Sequence, residues 1–408
     1  MKVILKKTVV VSLIAGASSV SSWAKVAPSV ESTVEVSLTR RHVDPGDLVT
    51  VEKKFRLKPK VQVALLLDTS GSMDGLIDQA KTQLWTIVNS FAKVEKGGEV
   101  PTVEVALYEY GNDGISIKDN YIRKVSGLTS ELDDISEKLF SLKTNGGSEF
   151  CGAAIKQALD DLKWDSSSEV YKAIFIAGNE PFTQGSISAT KSCQRAIREG
   201  VVVNTIHCGK EQEGIEGGWK AGAIAAEGDF LLIDQDKAVV HISAPQDKVI
   251  IKLSQELNTT YIPMGSKGLE RKQNQGRQDS FALSEQKKGT AYNRAVTKSS
   301  SLYNNASWDV VDYCEANEVS VSSLDEALLP EEMKGLSDEE RESYVKEKES
   351  KRVEIQKQIQ SLKKERDAYI QAEQSKLNLE EETLDVVMAG AIYKQIEKNG
   401  FKVKSEIE

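Results

Sequence analysis

The sequence predicts an α/β protein: a central, mostly parallel sheet flanked by helices, followed by a charged helical region. Three observations predict it. Short apolar runs alternate with longer segments of helical period, the order that builds a parallel sheet. One run, Val61 to Leu67 (VQVALLL), is apolar at almost every position, as a strand covered on both faces must be. From Ser337 onward charge dominates, and helix start and stop signals replace strand signals.

The chain has 408 residues, room for two or three domains, with 28% charged and 39% hydrophobic residues. Its first 24 residues stand apart. Lys2, Lys6 and Lys7 precede an apolar segment, Thr8 to Ala17, and small residues end at Ser22-Trp23-Ala24. That order reads as a signal peptide over 1–24, so the protein is expected to be exported, to the periplasm or beyond the cell. The apolar segment is too short for a membrane span, and no other stretch of the mature chain is long enough. Formal net charge is −9 and falls to about −12 once those three lysines are removed. This excess of acid excludes nucleic acid and anionic membrane surfaces as expected partners.

Residues 25–58 read as an N-terminal β extension. Val34, Val36 and Leu38 alternate, Asp44-Pro45-Gly46-Asp47 is a turn signal, and Val49, Val51 and Phe55 continue in extended form. The core follows over 59–262. Val61 to Leu67 is its first strand. Helix one runs from about Ser72 to Val94, with Leu76, Ile77, Leu84, Ile87, Val88 and Phe91 as its buried stripe. Strands are expected at Thr102 to Tyr110, Tyr121 to Val125, Lys172 to Ala177, Val201 to His207 and Phe230 to Ile233. Helices are expected at Ser130 to Leu142, opened by a Ser130/Asp133 capping box, and at Gly152 to Leu162, Ser188 to Glu199, Gly218 to Ala226 and Gln246 to Leu257.

Residues 263–301 read as a linker, rich in Gly, Ser, Gln, Lys and Asn with few large apolar side chains. Residues 302–408 read as helical. Ser323/Glu326 and Ser337/Glu340 are capping-box signals. From Ser337 to Gln374 an apolar seam of Ile355, Ile359, Leu362 and Tyr369 hints at a coiled coil, interrupted by Arg366 and Glu373. A second helix, Glu380 to Lys398, carries Leu384, Val387, Met388, Ala391 and Ile392 on one face. These helices read as a hairpin with a solvated face, or as an arm that docks a partner.

The chemistry-bearing stretch is Asp68 to Met73, DTSGSM, directly after the first strand. Open α/β sheets place ligands at the carboxyl ends of their strands. Asp68, Ser70 and Ser72 are oxygen-bearing and alternate, so they can converge. Hard oxygens without His or Cys suit Mg²⁺, Mn²⁺ or Ca²⁺. The pattern resembles the D-x-S-x-S metal-ion-dependent adhesion site of von Willebrand factor A (VWA) domains, which are Rossmann-like. The resemblance covers roughly half the chain and implies a second loop bearing a hydroxyl. Here Asn145-Gly146-Gly147-Ser148 gives Ser148 in place of the usual Thr. It also implies an Asp at the end of a later strand. This chain reads Ala177-Gly178-Asn179-Glu180-Pro181, so Gly178 takes the Asp position and cannot ligate. Glu180, two residues on, is the candidate replacement, and Asn179 can offer an amide oxygen. Such sites leave one coordination position open for a partner's carboxylate. The implied function is binding of a protein partner that offers an acidic residue. The alternative is a scaffold with a degenerate site that binds through its C-terminal helices.

Enzymatic readings are weaker. A phosphoryl-transfer Asp needs a second Asp at position 70, which is Ser. No G-x-S-x-G elbow, P-loop or G-x-G-x-x-G is present, and His207 is a lone histidine at a strand end. No catalytic role is expected. Of the four cysteines, Cys151, Cys193 and Cys208 should crowd one end of the sheet, and export permits a disulfide among them.

Overall fold

The computed structural model describes residues 58–234, 242–284, 288–377 and 384–404. The leader and nearly all of the β extension lie outside the described residues. Of the described helices, none is long and apolar enough to cross a membrane.

The chain begins with β1 (Lys60–Asp68) and α1 (Asp74–Ser90), then a two-residue strand β2 (Val94–Glu95). Next come β3 (Thr102–Tyr110), β4 (Ile122–Thr129), α2 (Leu132–Ser141) and α3 (Cys151–Asp161). Then follow β5 (Tyr171–Gly178), α4 (Ala189–Arg198), β6 (Val202–Cys208), α5 (Glu211–Glu216), α6 (Trp219–Ala225), β7 (Phe230–Ile233) and α7 (Asp247–Leu257). The sheet order is β4-β3-β1-β5-β6-β7, with β4 antiparallel to β3 and every other pairing parallel. The β1 run is central, and its side chains alternate between two cores. Val61, Val63, Leu65 and Leu67 face α1, α2 and α7, while Ala64 and Leu66 face α3, α4 and α6. This is why β1 reads as a continuous apolar run.

The segment read as a linker is helical: α8 (Gly265–Ser284) and α9 (Lys288–Lys298). It buries Tyr292, Ala295 and Val296 in the main core, and much polar surface besides. Asn274, Gln275 and Gln278 are buried, and Arg294 and Lys298 are almost wholly so. The Arg294 guanidinium pairs with Asp133 at 2.5 Å and Asp279 at 2.6 Å and lies 4.7 Å over the Trp85 ring. Lys298 reaches Asp279 at 2.9 Å. Buried charges are tolerated only when paired and hydrogen-bonded.

The C-terminal helices are α10 (Val310–Asn317), α11 (Asp338–Leu377) and α12 (Leu384–Ile396), ending in β8 (Lys402–Val403), which pairs with β2. They belong to the same compact unit as the sheet. Ile355 and Ile359 of α11 are buried in the main core, so the seam packs inside the chain rather than forming a coiled coil. Arg366 does not break that contact. It pairs with Asp247 of α7 at 2.6 Å and lies 3.6 Å over the Tyr292 ring. Arg352 likewise binds Asp309 at 2.8 Å and Asp312 at 2.6 Å. Helix α12 buries Leu384, Met388, Ala391, Ile392 and Ile396 in the core beside α1. Its Gln395 bonds Asn204 of β6 at 2.6 Å and accepts from the Tyr171 hydroxyl of β5 at 2.8 Å. The apolar face expected to dock a partner is therefore covered by the chain's own sheet.

Two capping expectations change. Ser337 and Glu340 do form a reciprocal box at the start of α11. Ser323 instead lies in a 3-10 turn capped by Ser320, and α2 starts after Glu131 without a side-chain cap. Asp133 is spent on Arg294 and on the Tyr303 hydroxyl. The disulfide expectation is also corrected. Cys151, Cys193 and Cys208 are free and buried, with Cys151 and Cys193 in one core and Cys208 in the core across the sheet.

Candidate metal centre

The site is built at the carboxyl end of β1. Asp68 is the last residue of the strand and is fully buried. The chain then turns: the Ser70 backbone N–H donates to Asp68 Oδ1 at 2.8 Å, and Met73 N–H closes on the Ser70 carbonyl at 3.1 Å. This turn brings the Ser70 and Ser72 hydroxyls to 3.4 Å of each other. Thr69 anchors it from below, donating through its hydroxyl to the buried Glu109 at 3.2 Å.

The loop 143–149 is tied over this turn by its backbone. Asn145 N–H donates to the Thr69 carbonyl at 2.9 Å, and Asp113 N–H to the Gly146 carbonyl at 2.5 Å. Asn112 donates to the Lys143 carbonyl at 2.9 Å, and the Thr144 hydroxyl bonds Asp74 at the start of α1. Two glycines make the approach possible. A side chain on Gly147 would run into the Gly111 carbonyl. Gly111, at φ +77°, has Asp68 Oδ1 and Glu149 Cγ within 3 Å of where its Cβ would stand. The second sequence-predicted loop is thus brought beside the first. Ser148 is half-buried within it.

The third element is the end of β5. Gly178 closes the strand in register with His207. A Cβ there would stand 2.5 Å from the Tyr110 hydroxyl and 3.0 Å from Asp68 Oδ2. Tyr110 donates to the Ala177 carbonyl at 2.8 Å and so fills the space an acid would need. Asn179 donates to the Ser72 hydroxyl at 3.0 Å. Glu180 is exposed; its carboxylate accepts from Gln184 at 3.4 Å, and the same amide group reaches Glu149 at 3.4 Å. His207 is packed 5.8 Å from Trp219 with neither ring nitrogen hydrogen-bonded, and burial lowers its pKa.

Electrostatically the centre is unsatisfied. Asp68 Oδ2 and Asn179 Oδ1 are buried without a hydrogen-bond partner. Burial pushes the Asp68 carboxyl up to about 7, opposed by the Ser70 N–H and aided by Glu149 and Glu180. Glu149 is raised as well, by burial and then by Glu180, against a hydrogen bond from the Ser70 hydroxyl. A cation would satisfy these oxygens, and the donor set fits a hard divalent ion. Among the described residues no three His, Cys, Asp or Glu side chains cluster as metal ligands, so hydroxyls must supply part of the shell. The residue that sequence reading missed is Glu149. An acid beside a helix start reads as a partner of the helix dipole, and only the Gly111 crossing shows it against Asp68.

The site thus joins a mostly parallel α/β sheet whose central strand ends in D-x-S-x-S to a glycine-rich, hydroxyl-bearing loop. Residues 62–215 match the family model of the von Willebrand factor type A domain. Among solved structures, proximal thread matrix protein 1 from the mussel byssus is 19% identical at TM-score 0.34, covering 44% of this chain. This chain spans only 43% of the mussel protein. A structure of that protein has a zinc-occupied MIDAS motif. The conserved hypothetical protein BatB from Bacteroides thetaiotaomicron is 17% identical at TM-score 0.33, covering 43% of this chain and 90% of its own. The SpRpn10 VWA domain is 16% identical at TM-score 0.33, covering 45% and 100% respectively. No curated protein matches the chain.

Proposed function

We propose that this protein is an exported, non-catalytic binding module that grips an acidic group of a partner protein through a divalent cation. Asp68, Ser70, Ser72 and Ser148 are the residues assigned to hold the ion, with Mg²⁺, Mn²⁺ or Ca²⁺ as the class. When bound, the ion supplies a Lewis-acidic position that a partner carboxylate can fill. Asp68 supplies charge, the turn at Ser70 sets the two hydroxyls, and the loop 143–149 covers the ion from the side of α3. Glu180, exposed beside Gln184, is assigned to the rim facing the partner.

The observation that carries the reading is the buried, unpartnered Oδ2 of Asp68 at the end of the central strand. Such an atom is costly to leave unmatched. The leader read at 1–24 supports a role in the periplasm or outside the cell. The test is capture of the partner from an envelope extract with and without EDTA. Capture lost on chelation and restored by Mg²⁺ supports the reading; capture indifferent to EDTA rejects it.

One observation favours a second reading. Gly178 removes the third-loop acid, which suits a platform that binds without an ion. A melting temperature indifferent to millimolar Mg²⁺, Mn²⁺ and Ca²⁺ favours it, because a ligand specific to the native state must raise that temperature.

A further inference from the structure

We infer that Glu149 supplies the second carboxylate of the cation site, taking over the charge that the end of β5 has lost. This rests on the reading of Asp68 as a cation ligand and deepens it.

The geometry is specific. Asp68 Oδ1 and Glu149 Cγ stand 2.7 Å and 2.9 Å from one point, the place where Gly111 has no Cβ. The absence of a side chain at 111 is what lets the two acids approach. Glu149 is buried, 6% exposed. The Ser70 backbone N–H holds Asp68 Oδ1 at 2.8 Å, which fixes the carboxylate beside that point. Gln184 reaches Glu149 Oε2 from the other side. Two buried carboxylates brought this close repel each other unless a proton or a cation lies between them. The second, independent observation is Asp68 Oδ2, which is wholly buried and has no partner.

The exchange has a steric reason. An acid at position 178 would collide with the Tyr110 hydroxyl, so this fold cannot draw its second charge from β5. Glu149, one residue past Ser148 in the loop before α3, reaches Asp68 instead from the side of Gly111. A site with two carboxylates binds Ca²⁺-class ions more tightly than a site with one.

The test is calorimetric titration of the full chain with Mn²⁺, comparing wild type with E149Q, E180Q, S148A and D68N. Melting in EDTA confirms that each variant is folded. The expected result is affinity lowered at least tenfold in E149Q, within threefold of wild type in E180Q, and abolished in D68N. Three outcomes overturn the inference. E149Q titrating like wild type while D68N fails removes Glu149 and leaves the cation site standing. E180Q falling as far as E149Q assigns the charge to the rim instead. A wild-type chain that takes up no Mn²⁺ at millimolar concentration removes both the site and this ligand.

Discussion

The Tyr110 hydroxyl and the Cα of Gly178 interlock: any side chain on Gly178 would begin 2.5 Å from that oxygen. Tyr110 is fully buried and held by its bond to the Ala177 carbonyl, so it cannot step aside cheaply. Gly178→Asp, which restores the family's usual acid on paper, is therefore expected to destabilise the chain by about 2–3 kcal/mol through overpacking and a second buried charge. Its Mn²⁺ affinity should not exceed that of wild type. Urea melts and calorimetry read both, and a stable, tighter-binding variant contradicts the steric account.

Asp68 makes the ion-free protein pH-sensitive. Its folded pKa, about 7, lies above the ordinary value of 3.8. The folded state therefore holds a proton that the unfolded chain releases between these values, and stability falls as pH rises from about 4 to 7. In EDTA, Asp68→Asn should be more stable than wild type at pH 8 by about 2–4 kcal/mol, with the difference vanishing near pH 4. Equal stability at both pH values means that the carboxylate is satisfied without an ion.

The buried network around Arg294 carries the opposite dependence. Although burial alone would raise the Asp279 pKa, Lys298 and Arg294 hold it well below the ordinary value of 3.8. That stabilisation is complete above pH 4 and is lost as pH falls further. Asp279→Asn leaves Arg294 and Lys298 short of charge in the interior and should cost about 3–5 kcal/mol at pH 7. Its melting temperature should vary less below pH 4 than that of wild type. A loss under 1 kcal/mol indicates that water already solvates the pair.

Helix α12 is expected to be integral. A chain ending at residue 377 uncovers the face that Met388, Ala391 and Ile392 bury, and leaves Asn204 and Tyr171 without Gln395. It should melt at least 10 °C lower or aggregate, and bind a hydrophobic dye that the full chain excludes. A truncated chain that melts like the full one makes α12 a detachable arm.

The strand and helix succession was legible because its signals are apolar. β3 and β7 lie where the sequence places them, and all six residues of the α1 stripe are buried. What stayed hidden is held in large part by polar and charged side chains. Helices α8 and α9 bury Asn274, Gln275, Gln278, Arg294 and Lys298, residue types that in sequence read as solvated linker. Arg366 reads as a fault in a seam, yet it pairs with Asp247, 119 residues away in sequence. At the site, Asp68, Ser70 and Ser72 were visible from spacing. Glu149 was not, because its neighbour across Gly111 comes from a strand far away in sequence.

The central claim is that oxygens from the β1 turn and the loop 143–149 gather on one cation. Anomalous diffraction from crystals of the full chain grown with Mn²⁺ tests it most directly. The account predicts one strong peak bounded by the Asp68 carboxylate and the Ser70 and Ser72 hydroxyls, on the side where the 148–149 segment crosses. Density at saturating Mn²⁺ with no peak beside Asp68 contradicts it.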